Sequence, residues 1–120
     1  MKKIVLIVED DSQNRKLFRD LLNVKGYLTL EATDGKQGIE IARKMKPNLI
    51  LMDIQMPVMD GLKAVKALKA DPDTSDIPVV ALTAYAMKGD EKKILEAGYD
   101  DYISKPINIK GFLNKIAAYF

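Results

Sequence analysis

Five short strand-like runs, three of them largely apolar, alternate with five amphipathic stretches along this chain, and no other feature narrows its fold so far. The runs are residues 3–8 (KIVLIV), 28–32, 49–53, 78–82 (PVVAL) and 101–104. Short apolar runs bounded by turn signals read as buried strands. The clearest is Leu49-Ile50-Leu51-Met52-Asp53, where the apolar residues stop at one acid and Met56-Pro57 and Asp60-Gly61 follow. Residues 15–25 carry Leu17, Phe18, Leu21 and Leu22 at helical spacing, with Asp11 or Ser12 as N-cap and Gly26 as the stop. Residues 36–46 place Ile39, Ile41, Ala42 and Met45 inward and end at Pro47. Asp60-Gly61 opens a third helix, with Leu62, Val65 and Leu68 apolar and Lys63, Lys66 and Lys69 facing water. A fourth is clearest over Asp90–Ala97 and closes at Gly98. A fifth is capped by Asn108 and has Ile109, Phe112, Leu113 and Ile116 on one face. Strand–helix alternation of this kind predicts an α/β fold: a doubly wound, five-stranded parallel (βα)5 sheet with helices on both faces. Residues 1–120 are expected to form one domain.

Composition adds mainly exclusions. The chain has 19 basic and 17 acidic side chains, a net charge of +2. That balance gives no reason to expect nucleic acid or a membrane surface as partner. The apolar run before Glu9 is too short for a signal peptide or a membrane span, so a cytoplasmic location is expected. With no Cys and no His, thiol chemistry, Cys/His zinc sites and Ser-His-Asp triads are excluded. Chemistry must rest on carboxylates, lysine, hydroxyls and an oxygen-bound metal.

In a parallel sheet every strand's carboxyl end lies on one rim, where open α/β sheets bind ligands. That rim collects Glu9 and Asp10 after the first strand, Asp53 after the third, Thr83 after the fourth and Lys105 after the fifth. With strand order 2-1-3-4-5, the first and third are neighbours at the reversal of order. Three acids packed together repel one another unless something positive intervenes. Lys105 and a divalent cation are the natural compensation. Oxygen-only ligands favour Mg²⁺, with Mn²⁺ as a substitute. Such a cation commonly joins carboxylates to a phosphate, which suggests a phosphoryl group as the third party.

These residues resemble the receiver domains of two-component response regulators, which have a flavodoxin-like, CheY-like fold. The resemblance spans essentially the whole chain. It rests on Glu9-Asp10, on Asp53 followed by Met56-Pro57-x-Met59-Asp60-Gly61, on Thr83-Ala84 and on Lys105-Pro106. Each motif is short; their order, spacing and position at strand ends carry the match. The segment 81–91 (ALTAYAMKGDE) looks most like DivK-type single-domain regulators and the receivers of hybrid kinases.

The resemblance implies that Asp53 accepts a phosphoryl group from a phosphohistidine. Asp10, Asp53 and the main-chain carbonyl of Gln55 would bind Mg²⁺. Glu9, an aspartate in many relatives, would act through water or help hold Lys105. Lys105 would pair with Asp53 and then with the phosphoryl oxygens, aimed by a cis bond to Pro106. Thr83 would donate to the phosphoryl group, and Tyr102 would rotate as Thr83 moves. The fourth helix, fifth strand and fifth helix, including Lys88 and parts of 107–120, would form the responding face. Gln55 and Tyr85 would flank the acyl phosphate, with Tyr85 shielding it from water. Such a protein is a switch, acting catalytically only on itself. Its partners would be a histidine kinase or phosphotransfer protein and a downstream protein target. It would be a monomer or a weak, phosphorylation-dependent dimer. A stand-alone protein is expected, with a receiver cut from a larger chain as the alternative. Two further readings keep the fold: a Mg²⁺-dependent aspartyl-phosphate phosphatase and a flavin-binding protein. The first lacks an insertion long enough for a substrate cap. The second lacks a Gly- or Ser/Thr-rich phosphate loop after the first strand.

Overall fold

The computed structural model describes residues 2–56, 58–83 and 90–120. Strands and helices alternate throughout: β1 Ile4–Val8, α1 Ser12–Val24, β2 Leu28–Ala32, α2 Gly35–Met45, β3 Leu49–Asp53, α3 Gly61–Ala70, β4 Val79–Thr83, α4 Asp90–Ala97, β5 Asp101–Ser104 and α5 Ile109–Ala117. All neighbouring strand pairs are parallel and the order is β2-β1-β3-β4-β5. This is the expected doubly wound sheet. It leaves β1 and β3 side by side at the switch in direction, with Val8 paired to Met52.

Alternation along the strands divides the core in two. Val5, Ile7, Leu49, Leu51, Val80 and Leu82 pack with Phe18 and Leu22 of α1 and Phe112 and Ile116 of α5. Leu6, Val8, Ile50, Met52, Val79 and Ala81 face Ala42 of α2, Val65 and Leu68 of α3 and Ile94 of α4. A period of two sends successive side chains to opposite faces. Strands covered on both faces therefore need no polar residues until they reach the rim. Phe18 and Phe112 stack at 5.5 Å between ring centroids, joining α1 to α5.

Among the described residues, four helices begin on a side chain that accepts a main-chain N–H. These are Asp11 for Gln13, Asp34 for Gln37, Asp60 for Lys63 and Asn108 for Gly111. Such caps satisfy donors that the first helical turn leaves free, and they fix the strand-to-helix corners that build the rim.

Three sequence readings need correction. Met45 is 48% exposed and Ile109 52% exposed; each sits at the end of its helix, where the neighbouring layer no longer covers it. Lys69 does not simply face water. Its ammonium donates to the carbonyl of Ile77 at 2.9 Å and to Asp100 at 3.0 Å, with a longer contact to the carbonyl of Ser75. The start of α1 also shifts: Asp11, one of the two expected caps, begins the helix at Ser12 rather than at residue 15.

Candidate functional site

Among the described residues, Glu9 and Asp53 are the acids that the fold buries. Glu9 is fully buried and Asp53 is 8% exposed. Each reaches the rim because it directly follows, or ends, a strand whose other residues are buried on both faces. Asp10 lies one residue further on and is exposed. Ligand oxygens of Glu9, Asp10 and Asp53 all lie within 4.8 Å of one another.

Lys105 crosses this cluster from the end of β5. Its ammonium donates to Asp53 Oδ2 at 2.9 Å and to Glu9 Oε1 at 3.1 Å. Its main-chain N–H donates to the carbonyl of Thr83 at 2.7 Å, tying the end of β5 to the end of β4. The Lys105–Pro106 bond is cis. The other oxygen of Asp53, Oδ1, accepts the main-chain N–H of Gln55 at 3.0 Å. The turn beyond Gln55 contains Val58 at φ 69°, a costly conformation for a β-branched residue.

Two carboxylates face one ammonium, and the charges do not balance. Burial, then the adjacent Asp53, pushes Glu9 up to about 7, against the pull of Lys105. Burial works against the Lys105 charge, but its bonds to Asp53 and Glu9 hold its pKa above the ordinary lysine value. Glu9 Oε2 is buried and has no hydrogen-bond partner. An orphaned buried carboxylate oxygen is costly. Here it belongs to a cluster made only of oxygens, the donor set that hard divalent cations take. The residues present therefore fit a divalent cation.

Thr83 is buried at the end of β4, beside the cluster. Tyr102 stands apart from the acids. It is half-buried on β5, with the Lys115 ammonium 5.5 Å from its ring centre. A hydrogen bond to Glu91, then burial, raises its phenol. Pro106 and the Gln55 side chain are exposed. Tyr85, Lys88, Ala84 and Pro57 lie outside the described residues.

Two contributors escaped the sequence reading. Buried Tyr99 donates its hydroxyl to the carbonyl of Gly61 at 2.8 Å, and burial, then the charge of Asp53, pushes its phenol far up. Gly61 in turn donates to the carbonyl of Ile54. A Cβ on Gly61 would stand 2.5 Å from the Tyr99 hydroxyl and 2.6 Å from the carbonyl of Asp53. That glycine is therefore required by the close approach of the end of β3 and of Tyr99, and the pairing Asp60-Gly61 was its only signal. Arg15 is the second. Its guanidinium donates to the carbonyl of Glu9 at 3.0 Å, and an arginine in a first helical turn gives no sign of that in sequence.

Comparison with known proteins places this geometry. Residues 5–117 match the model of the response regulator receiver domain. The polar-differentiation response regulator DivK of Brucella anthropi is 49% identical over 119 residues, covering 99% of this chain and 97% of that protein. A receiver domain of a Pseudomonas aeruginosa sensor histidine kinase, solved with magnesium in its active-site cleft, superimposes with a TM-score of 0.91 at 31% identity. It covers 99% of this chain and 98% of that one. The receiver domain of a Saccharomyces cerevisiae response regulator, solved with its histidine phosphotransfer protein, gives 0.89 at 30% identity, covering 98% and 88%.

Proposed function

The chain belongs to the response regulator receiver domain family and is a phosphoacceptor signalling protein, and we propose that Asp53 is its acceptor. The observation that carries this reading is the placement of one ammonium, Lys105, across Asp53 and Glu9 while a buried Glu9 oxygen goes unpartnered. The site is short of positive charge, and a phosphoryl group arriving with a cation supplies the missing ligand and charge together.

An Asp53 oxygen attacks phosphorus in line, and the bond from phosphorus to the donor's imidazole nitrogen breaks. The product is an aspartyl phosphate. Lys105 moves from balancing the resting carboxylates to balancing the equatorial phosphoryl oxygens. Asp10 and Asp53, with the carbonyl of Gln55, would hold Mg²⁺, or Mn²⁺ in its place, with Glu9 acting through water. When bound, the cation neutralises charge on the transferred group. Glu9 also holds Lys105 directly. Thr83 would donate its hydroxyl to the phosphoryl group, and Tyr102 on β5 would follow that movement. The switch then works by population. A difference of about 3 kcal/mol in affinity between two arrangements changes their ratio roughly a hundredfold. Signal would leave by the α4–β5–α5 face toward a protein target, with a weak dimer as one form of the phosphorylated protein. Gln55 and Tyr85 would set water access. Loss of the phosphoryl group would be catalysed by the same site.

Receiver domains take their phosphoryl group from a histidine kinase or a histidine phosphotransfer protein, and a donor of that class is proposed here. Among the described residues no helix is long and apolar enough to cross a membrane; cytoplasmic action is part of the proposal. The test is incubation with acetyl phosphate and Mg²⁺, followed by peptide mass mapping. One phosphoryl group on Asp53 is expected, with none on the Asp53→Asn variant. An unmodified wild type, or a variant modified as fast as the wild type, ends the reading.

A further inference from the structure

The proposed cation site depends on Asp10, and Asp10 is exposed on a corner of the chain. A carboxylate in that position is aimed by its backbone. The N–H of Glu9 donates to the carbonyl of Ala32 at 3.0 Å, which holds the corner on one side. The carbonyl of Glu9 receives the Arg15 guanidinium at 3.0 Å; the same nitrogen lies 3.5 Å from the carbonyl of Asp10.

Arg15 is itself fixed. Its Nε donates to Glu31 on β2 at 3.2 Å, and its side chain is only 19% exposed. Glu31 also pairs with Arg19, one helical turn on, at 3.3 Å. Arg19 thus shares the acid, while the bonds to the Glu9 and Asp10 carbonyls come from Arg15.

Building on the proposed cation site, we propose that Arg15 is a positioning residue for it. Held by Glu31, it clamps the Glu9 and Asp10 carbonyls and so sets the direction in which the Asp10 carboxylate meets the metal. The guanidinium suits the task because its planar fork serves a carboxylate and a carbonyl at once, which a single ammonium does poorly. Groups that orient metal ligands without touching the metal are commonly worth 10–100-fold in affinity.

The sign of the effect separates positioning from charge. Arg15 is a cation close to a proposed cation site. By Coulomb's law its removal should tighten metal binding. Loss of the clamp should weaken it.

The test is calorimetric titration of Mn²⁺ into the unphosphorylated protein, with thermal melting to show that each variant is folded. Arg15→Met is expected to bind about tenfold more weakly than wild type. Arg19→Met should match wild type or bind slightly tighter. Arg15→Lys should fall between. Arg15→Met binding as tightly as wild type, or more tightly, overturns the clamp. If Arg15→Met does not fold, Arg15→Lys decides: weaker binding supports the clamp and equal binding overturns it. A wild type that binds no Mn²⁺ overturns the cation site itself, a result distinct from failure of the clamp alone.

Discussion

Two half-buried lysines stand at opposite ends of the sheet, Lys69 near the start of β4 and Lys105 at the end of β5. Their side chains are similarly covered, 24% and 20% exposed. Lys69 meets one carboxylate, Asp100, and main-chain carbonyls of the α3–β4 connection; Asp100 also accepts the N–H of Val79 at 2.8 Å. One positive charge answers one negative charge, and neutral groups fill the remaining bonds. Lys105 meets two carboxylates with a third close by, and one buried acid oxygen is unpartnered. The same residue type at the same depth is a finished lock at one end and half of an unfinished site at the other. The difference lies in whether the neighbouring charges sum to zero.

The largest break in that comparison comes from removing the cation at the unfinished end. In the proposed mechanism, Lys105→Met would leave the developing phosphoryl charge without its fixed counter-ion. Loss of one such electrostatic partner typically costs about a hundredfold or more in rate. Phosphorylation by acetyl phosphate at saturating Mg²⁺, followed by intact mass, should slow by that factor. A variant within threefold of wild type would show that Lys105 does not carry that charge.

A smaller effect follows from Glu9. Its pKa, about 7 in the folded protein, exceeds the ordinary carboxylate value of 4.5 because burial and Asp53 disfavour the charged form. Between those values the folded state holds a proton that the unfolded chain has released. The stabilisation from this group is therefore complete below about pH 4.5 and is lost as pH rises through 7. Metal-free protein in EDTA should lose on the order of 1–3 kcal/mol of unfolding free energy across that window from this residue. Glu9→Gln, which cannot titrate, should flatten that part of the profile in urea melts. An unchanged slope would remove Glu9 as the source.

The sequence made the balanced and unbalanced ends legible to different degrees, for a physical reason. Asp53, Glu9, Asp10 and Thr83 each end or follow a buried apolar run, and Lys105 follows the short strand 101–104. Topology alone then brings them to one rim, and the period of the pattern was enough to gather them. The caps Asp11, Asp60 and Asn108 were legible in the same way, from residue type at a turn. Lys69 was misread because its partners lie 6 to 31 residues away, and a lysine every third residue in an amphipathic helix looks the same whether it is solvated or tied down. Tyr99 and Arg15 escaped because each acts on a main-chain carbonyl. A carbonyl is present at every residue, so a side chain that seeks one leaves no complementary residue to find.

The smallest effect is at the finished end, and it tests whether the lock is only structural. Lys69→Met keeps much of the side chain's apolar length and removes the ammonium. Asp100 retains the Val79 N–H but loses its counter-charge, and the carbonyl of Ile77 loses its side-chain donor. Asp100 is partly exposed and water can replace some of these bonds, so the loss should be only ~1–2 kcal/mol. Urea unfolding should register it as an earlier midpoint with an unchanged slope. Phosphorylation of Asp53 should proceed at the wild-type rate, because the charge removed was already balanced within its own end of the sheet. A slowed reaction would mean that the two ends are coupled through β4, which runs from the Lys69–Asp100 lock to Thr83. The lock would then belong to the switch.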